Sequence, residues 1–217
     1  MRHSLTDDEK KDLERLLREA ESRVKAQIVL SVIRRCDNYP EIPWKAFAMA
    51  ASLSGLIVLI INIIFPGWIT DAIILISITA ILAVGALFAV LTVLIPGFAR
   101  LFLNRHRAES ETRQYAESLF FEHELFATGE RSAILLMVSM FERQVILLPD
   151  KGTGKRMTLE AMNEIIAPMY HPLRRGEVGK AMETGLDGLT RTLEASASGR
   201  TVKDVLSNEI IEEEGIW

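Results

Sequence analysis

The sequence predicts an α/β fold in which a small mixed β-sheet, packed by helices, is interrupted by a two-helix transmembrane hairpin. Two uncharged apolar runs, residues 47–65 and 72–99, follow one another across a short turn. Outside these runs, segments with helical periodicity alternate with short β-branched segments of strand length. Because two spans return the chain to the side of the membrane that it left, the segments before and after the runs can share one sheet.

The apolar runs have the length and composition of membrane spans. Residues 47–65 would reach roughly 28 Å as a helix, close to the hydrocarbon thickness of a bilayer. Bases lie beside the outer ends of the hairpin and are absent from the turn, so we expect cytoplasmic termini at the cell (inner) membrane. These bases are Arg34, Arg35, Lys45, Arg100, Arg105 and Arg107.

Small residues one turn apart occur in both spans. Ala51 with Gly55, and Gly85 with Ala89, permit two helices to approach closely. They predict close packing either inside the hairpin or between two copies of the chain. The sequence leaves both alternatives open, so a homo-oligomer formed through the membrane helices is one expectation.

A helix and a strand are predicted before the hairpin. Thr6 and Glu9 have the spacing of a capping box, in which each side chain bonds to the backbone N–H of the other residue. The leucines that follow recur at helical spacing. Residues 26–33 form a short, nearly continuous apolar run of the kind found in interior strands.

Two strands and three helices are predicted after the hairpin. Residues 133–139 and 145–148 are apolar and separated by a tight connection, which predicts an antiparallel pair. Residues 109–128 form an amphipathic helix, and His123 on its apolar stripe is interpreted as a packing residue. Two further helices follow, one capped by Thr158 and one that begins near residue 177.

The predicted organisation is one domain with a membrane insertion. Residues 1–46 and 100–198 form the domain, residues 47–99 form the hairpin, and residues 199–217 form an acidic C-terminal tail. The tail is interpreted as frayed and solvated, with a docking peptide as the alternative.

The composition excludes several classes of function. The net charge is -4 and no region is strongly basic, so the chain lacks an electrostatic footprint for nucleic acid. Cys36 is the only cysteine, which excludes a disulfide within the chain and a cysteine-based zinc cluster. The spans carry no ionisable residue at depth, which argues against a transport pathway.

The segments outside the hairpin resemble the TPM domain family. The resemblance is carried by residues 5–32, 116–152 and 161–193, which read LTDDEKKDLERLLREAESRVKAQIVLSV, AESLFFEHELFATGERSAILLMVSMFERQVILLPDKG and AMNEIIAPMYHPLRRGEVGKAMETGLDGLTRTL. It implies a small sheet packed by helices. It also implies a metal-dependent phosphatase activity, which is attributed to members of this family.

Three acids at predicted strand ends and loops are the candidate metal ligands. Asp37, Glu142 and Asp150 offer carboxylate oxygens from different loops, which suits a hard cation such as Ca²⁺ or Mg²⁺. No spacing resembles a dedicated calcium loop, so the alternative is that these acids are solvated and that no cofactor binds.

Three bases that follow Asp150 are the candidates for binding an anion or an acidic partner. Lys151, Lys155 and Arg156 surround a glycine-rich segment, but its spacing is not that of a phosphate-binding loop. In family members credited with metal binding, acids stand in the corresponding segment. The bases therefore favour anion binding over catalysis.

The sequence contains no coherent set of nucleophile, base and metal ligands, so we expect no catalytic residue. We interpret the protein as a TPM-like domain on the cytoplasmic face of the lipid bilayer that binds other membrane or cytoplasmic proteins. A metal-dependent phosphatase-like hydrolase is the alternative, and an oligomeric pore is a weaker one because the spans lack polar faces.

Overall fold

The computed structural model describes residues 5–24, 26–65, 67, 70–128, 131–155, 157–196 and 210–215. Turns of 3₁₀ helix at Arg100–Phe102 and Leu125–Ala127 accompany the regular elements. The helices and strands in chain order are α1 (Asp7–Val24), β1 (Gln27–Ile33), α2 (Glu41–Ile64), α3 (Asp71–Leu94), α4 (Pro96–Ala99), α5 (Arg105–Glu122), β2 (Ala133–Ser139), β3 (Gln144–Pro149), α6 (Lys151–Gly154), α7 (Leu159–Arg175), α8 (Val178–Ser196) and β4 (Ile211–Glu213).

The chain divides into two compact units. The first unit comprises Met1–Asp37 together with His106–Trp217, and the second comprises Asn38–Arg105. The first unit holds all four strands of the sheet and the helices that pack on it. The second holds the two long apolar helices α2 and α3.

The sheet of the first unit is mixed, as predicted. Its strand order is β3-β2-β1-β4, with β1 parallel to both β2 and β4, and β2 antiparallel to β3. The register of the central pair runs from Gln27↔Ala133 to Ile33↔Ser139. The connection from β1 to β2 therefore contains both apolar helices, so the hairpin is inserted into a parallel crossover.

Both faces of the sheet are covered by helices. Alternate residues of β1 and β2 point to opposite faces, as the pleat requires. One face packs against α1, α7 and α8 through residues that include Leu30, Leu136 and Met182. The other face packs against α5 through residues that include Leu119 and Leu135. Two covered faces explain why β1 and β2 are buried throughout and mostly apolar.

The capping box at the start of α1 is confirmed. Thr6 N–H donates to Glu9 Oε2 at 2.8 Å, and Glu9 N–H donates to Thr6 Oγ1 at 3.3 Å. These bonds favour the ionised carboxylate, so they hold the pKa of Glu9 below its ordinary value. Thr158 caps α7 in the predicted way, accepting a bond from Ala161 N–H at 3.2 Å.

Within the second unit, α2 and α3 are each long and apolar enough to cross a membrane, and their large side chains are mostly exposed. They begin and end close to the predicted spans, although α2 starts earlier, at Glu41. The two helices approach closely at Gly85, where a Cβ would lie 2.8 Å from Phe47 Cε2. This small residue therefore packs the hairpin internally.

Two expectations about single segments are wrong. The helix predicted at residues 109–128 is α5, which ends at Glu122, because Glu124 adopts a left-handed conformation with φ 49°. His123 consequently lies beyond the helix, with 38% of its side chain exposed, and is not a packing residue.

The C-terminal tail is the second correction. Ile211–Glu213 forms β4 beside β1 and is not a frayed segment. A free edge of a parallel sheet offers unpaired backbone groups, and the tail satisfies some of them. The rest of the predicted tail, at residues 199–209 and 216–217, lies outside the described residues.

Candidate functional site

The carboxyl ends of β1 and β2 form the candidate functional site. In open α/β sheets, ligands usually bind at this end, because loops from neighbouring strands meet there. Met140 N–H donates to Ile33 O at 2.9 Å, and Phe141 N–H donates to Arg34 O at 3.0 Å. Main-chain bonds therefore hold the loop after β1 against the turn after β2.

A buried carboxylate, Glu142, lies where these two loops meet, with 6% of its surface exposed. Its Oε1 accepts a hydrogen bond from Cys36 N–H at 2.9 Å, and its Oε2 accepts one from the Ser139 hydroxyl. A buried carboxylate is unfavourable unless it is hydrogen-bonded. Glu142 therefore links the loop after β1 to the end of β2, and both of its oxygens are engaged.

The thiol of Cys36 lies beside this carboxylate and is also buried. Burial raises the pKa of the Cys36 thiol to about 12, and the Glu142 charge adds to this, while hydrogen bonds with Ser139 and Thr112 act in the opposite direction. A thiol is nucleophilic only as the thiolate. Cys36 is therefore protonated and unreactive at neutral pH.

The carboxylate of Asp37 is engaged by a base from α5. Arg107 Nη2 lies 2.9 Å from Asp37 Oδ2, and its Nε lies 3.5 Å from Glu111 Oε1. Arg107 thus bridges two acids. Cation binding by Asp37 would have to compete with this ion pair.

Asp150 lies at the opposite end of the sheet from Glu142. Because β3 is antiparallel to β2, Pro149 pairs with Ile134 near the start of β2, about 17 Å from the end of that strand. Arg131 donates two hydrogen bonds to Asp150, at 2.8 and 3.0 Å, and these raise the pKa of the guanidinium. Asp150 also accepts a bond from Lys151 N–H at 2.7 Å.

The three predicted metal ligands do not converge. Asp37 and Glu142 belong to one end of the sheet and Asp150 to the other, so no single ion can contact all three. Among the residues that the structure describes, no group of three or more His, Cys, Asp and Glu side chains is arranged to hold a metal ion. The predicted ligand set is therefore corrected to two separate acid positions, each bonded to protein groups.

Two of the predicted anion-binding bases, Lys151 and Lys155, lie near Asp150. Lys151 begins the short helix α6 and Lys155 follows it, and both are exposed. Arg156 lies outside the described residues. Anion or partner binding at these bases stays a prediction.

Sequence reasoning missed the residues that contact the C-terminal strand. Tyr115 on α5 donates a hydrogen bond to Glu213 Oε2 at 2.6 Å, and His123 Nε2 lies 4.0 Å from the other carboxylate oxygen. Burial, and then the bond to Glu213, raises the pKa of Tyr115 above its ordinary value. The paired isoleucines at residues 210–211 were the signal in the sequence that a strand begins there.

Comparison with known proteins agrees with this architecture. Residues 98–192 match the TPM domain family. The chain is similar in fold to the BA42 protein from the psychrophilic bacterium Bizionia argentinensis, whose NMR structure aligns with a TM-score of 0.59 at 11% sequence identity over 98% of each chain. No curated protein matches the chain in sequence. The chain therefore contains a TPM domain at residues 98–192.

Proposed function

We propose that this is an integral membrane protein of the cell (inner) membrane, whose TPM domain faces the cytoplasm and acts as a protein-interaction or assembly module without chemistry of its own. The observation that carries the proposal is that the polar groups at the carboxyl ends of β1 and β2 bond to one another. Glu142 is held by Cys36 and Ser139, and Asp37 is held by Arg107.

A hydrolytic site needs a different arrangement. A metal-dependent hydrolase holds its ion with several oxygen ligands and keeps one position open for water or substrate. At this end of the sheet the carboxylates instead accept hydrogen bonds and form an ion pair within the domain. The neutral thiol of Cys36 offers no alternative nucleophile. These contacts favour a scaffold over an enzyme.

The membrane assignment is supported by the two long helices. Each has 24 residues, which corresponds to about 36 Å of helix, more than enough for a hydrocarbon core of about 30 Å. Their exposed leucine, isoleucine and phenylalanine side chains would be unfavourable in water. The lipid bilayer is the solvent that suits this surface.

The first prediction is that the purified full-length protein releases no phosphate from phosphoesters above background. The assay is done in Mg²⁺, Ca²⁺ and Mn²⁺, because the phosphatase alternative requires a divalent ion. The matched control is the Glu142→Gln variant, checked for folding by circular dichroism. Metal-dependent turnover in the native chain that Glu142→Gln abolishes would show that the domain is an enzyme.

A further inference from the structure

The sheet edge beside β1 is occupied by the C-terminal residues of the chain. β4 pairs with β1 in parallel, in the register Ser31↔Ile211 to Ile33↔Glu213. Arg34 N–H also donates to Glu213 O at 3.1 Å. Extended peptides add to the edges of sheets through the same main-chain pairing, which gives affinity, while side-chain contacts give specificity.

Different parts of the domain contact the individual side chains of this segment. Ile210 is buried in the core on the α8 side of the sheet, and Ile211 packs on the α5 side, as alternation along a strand requires. The Glu213 carboxylate accepts the bond from Tyr115 and faces His123. The two isoleucines therefore lie among apolar side chains, whereas the Glu213 carboxylate lies beside polar ones.

Two further positions restrict the sequence that fits. Glu214 Oε1 lies 3.1 Å from Arg34 Nη1. Gly215 has φ +79°, and a Cβ at this residue would lie 1.6 Å from Arg35 O, so no other residue can be accommodated there. The contacted segment thus has the pattern of two apolar residues, three acids and glycine. We call the surface that contacts it the tail groove, formed by the edge of β1 beside β4 with Arg34, Arg35, Tyr115 and His123.

We propose that the tail groove is a docking site for an extended acidic segment of a partner protein, and that residues 210–215 of the chain occupy it as an internal competitor. This inference rests on the proposed interaction role and adds the chemistry of the partner. The groove supplies a cation at Arg34, a hydroxyl donor at Tyr115 and an imidazole at His123 to acidic side chains. An acidic strand is the ligand that complements these groups.

The length of β1 favours a partner over a permanent tail. β1 has seven residues, whereas β4 has three and pairs, within the described part of the chain, with residues 31–33. A longer strand from a partner could keep the same side-chain contacts and pair along more of β1.

Tethering makes the tail a strong competitor for a free peptide. A segment that belongs to the same chain as its site can have an effective concentration on the order of millimolar there. A free peptide of the same sequence therefore binds the intact chain only weakly. Removing the tail should strengthen binding of the free peptide by at least about tenfold.

The test uses a fluorescent synthetic peptide with the sequence of residues 208–217, NEIIEEEGIW. Its binding is measured by fluorescence anisotropy to the full-length protein in nanodiscs, to a chain that ends at residue 207, and to full-length Gly215→Val. The valine clashes with Arg35 O, so this variant releases the tail without shortening the chain. Both altered chains should bind the peptide at least about tenfold more tightly than the native chain.

Matched peptides test whether the groove recognises sequence. A peptide with valine at the position of Gly215 should not bind, and one with glutamine at the position of Glu213 should bind roughly tenfold more weakly, since it loses a charge-assisted hydrogen bond. Equal affinities for all three proteins, or equal affinities for the three peptides, would overturn the inference. If the shortened chain does not fold, the comparison of peptide affinity between the native chain and Gly215→Val decides the question.

Two measurements distinguish this inference from a homodimer and from the proposed function. Dimers of the native chain that Gly215→Val dissociates would assign the groove to a second copy and overturn the assignment to a different partner. Phosphate release tests the proposed function independently, because that assay does not involve the tail groove. Either conclusion can therefore fail while the other stands.

Discussion

Glu142 accepts hydrogen bonds from two neighbouring residues and raises the pKa of the Cys36 thiol. Its two oxygens satisfy the backbone of Cys36 and the hydroxyl of Ser139, and its charge is the second cause, after burial, of the raised pKa of the thiol. The folded-state pKa of Cys36 lies above that of a free thiol, about 8.5. Its contribution to stability is therefore fully present below that pH and is lost as the pH rises toward about 12.

A second prediction follows for Glu142→Gln. Removing the negative charge should lower the pKa of Cys36, although burial should keep it above that of a free thiol. Because Cys36 is the only cysteine, ¹³C-labelled cysteine gives one resonance whose shift reports ionisation as the pH is raised. The variant should also lose about 1–3 kcal/mol of unfolding free energy, since a buried acceptor is replaced.

Asp37→Asn is the matched control for this measurement. Asp37 also raises the pKa of Cys36, but it is the smallest of the causes. Its removal should therefore change the titration of the thiol less than Glu142→Gln does. A larger change in Asp37→Asn would mean that Glu142 is not the charge that controls the thiol.

The helices α2 and α3 approach each other closely at Gly85. The ring of Phe47 lies against Gly85, where a Cβ would come within 2.8 and 2.9 Å of two ring atoms. Gly55 occupies the equivalent kind of small position on α2, yet a Cβ there would meet only Ile81 Cδ1, at 3.9 Å. Both glycines belong to small-residue pairs in the sequence, but only Gly85 lacks room for a Cβ.

The third prediction is that Gly85→Ala destabilises the hairpin and that Gly55→Ala does not. Inserting a methyl group against a packed ring costs about 1–3 kcal/mol. Thermal unfolding in detergent micelles should show a lower Tm for Gly85→Ala and a nearly unchanged one for Gly55→Ala. Phe47→Leu combined with Gly85→Ala should recover part of the loss, and equal Tm values for both single variants would contradict the packing.

The sequence predicted the elements better than the site. Local signals such as the capping box of Thr6 and Glu9 and the apolar run of β1 are sufficient to place α1 and β1. The predicted β2–β3 pair already implied that Glu142 and Asp150 lie at opposite ends of a strand, so grouping them in one metal site conflicted with that pair. β4 was missed because three residues, two of them acids, form a strand only when β1 supplies the edge.

At the scale of the whole molecule, orientation follows from the distribution of charge. Arg105 and Arg107 lie just after the hairpin, while the described residues of the turn, 67 and 70–71, carry no base. Under the positive-inside rule, we expect the TPM domain to face the cytoplasm. Both parts of the domain, before and after the hairpin, share one sheet, which is compatible with two spans and not with one.

The fourth prediction tests this orientation with two single cysteines, Gly67→Cys in the turn and Ser110→Cys on α5. Both positions are exposed, and the native Cys36 is buried and protonated, so it should not react. A membrane-impermeant maleimide added to intact spheroplasts should label Gly67→Cys and not Ser110→Cys. Permeabilised cells provide the control for reactivity, and labelling of Ser110→Cys alone would reverse the topology.

The position of the hairpin inside the β1–β2 crossover also sets the order of events during synthesis. Roughly 100 residues separate the end of β1 from the start of β2, which takes about 5–20 s at typical rates of translation. Throughout this interval a strand whose seven residues are all buried in the native state has no partner. We expect the hairpin to enter the bilayer before the sheet can close, so cells that insert it slowly would need a chaperone to shield β1 from aggregation.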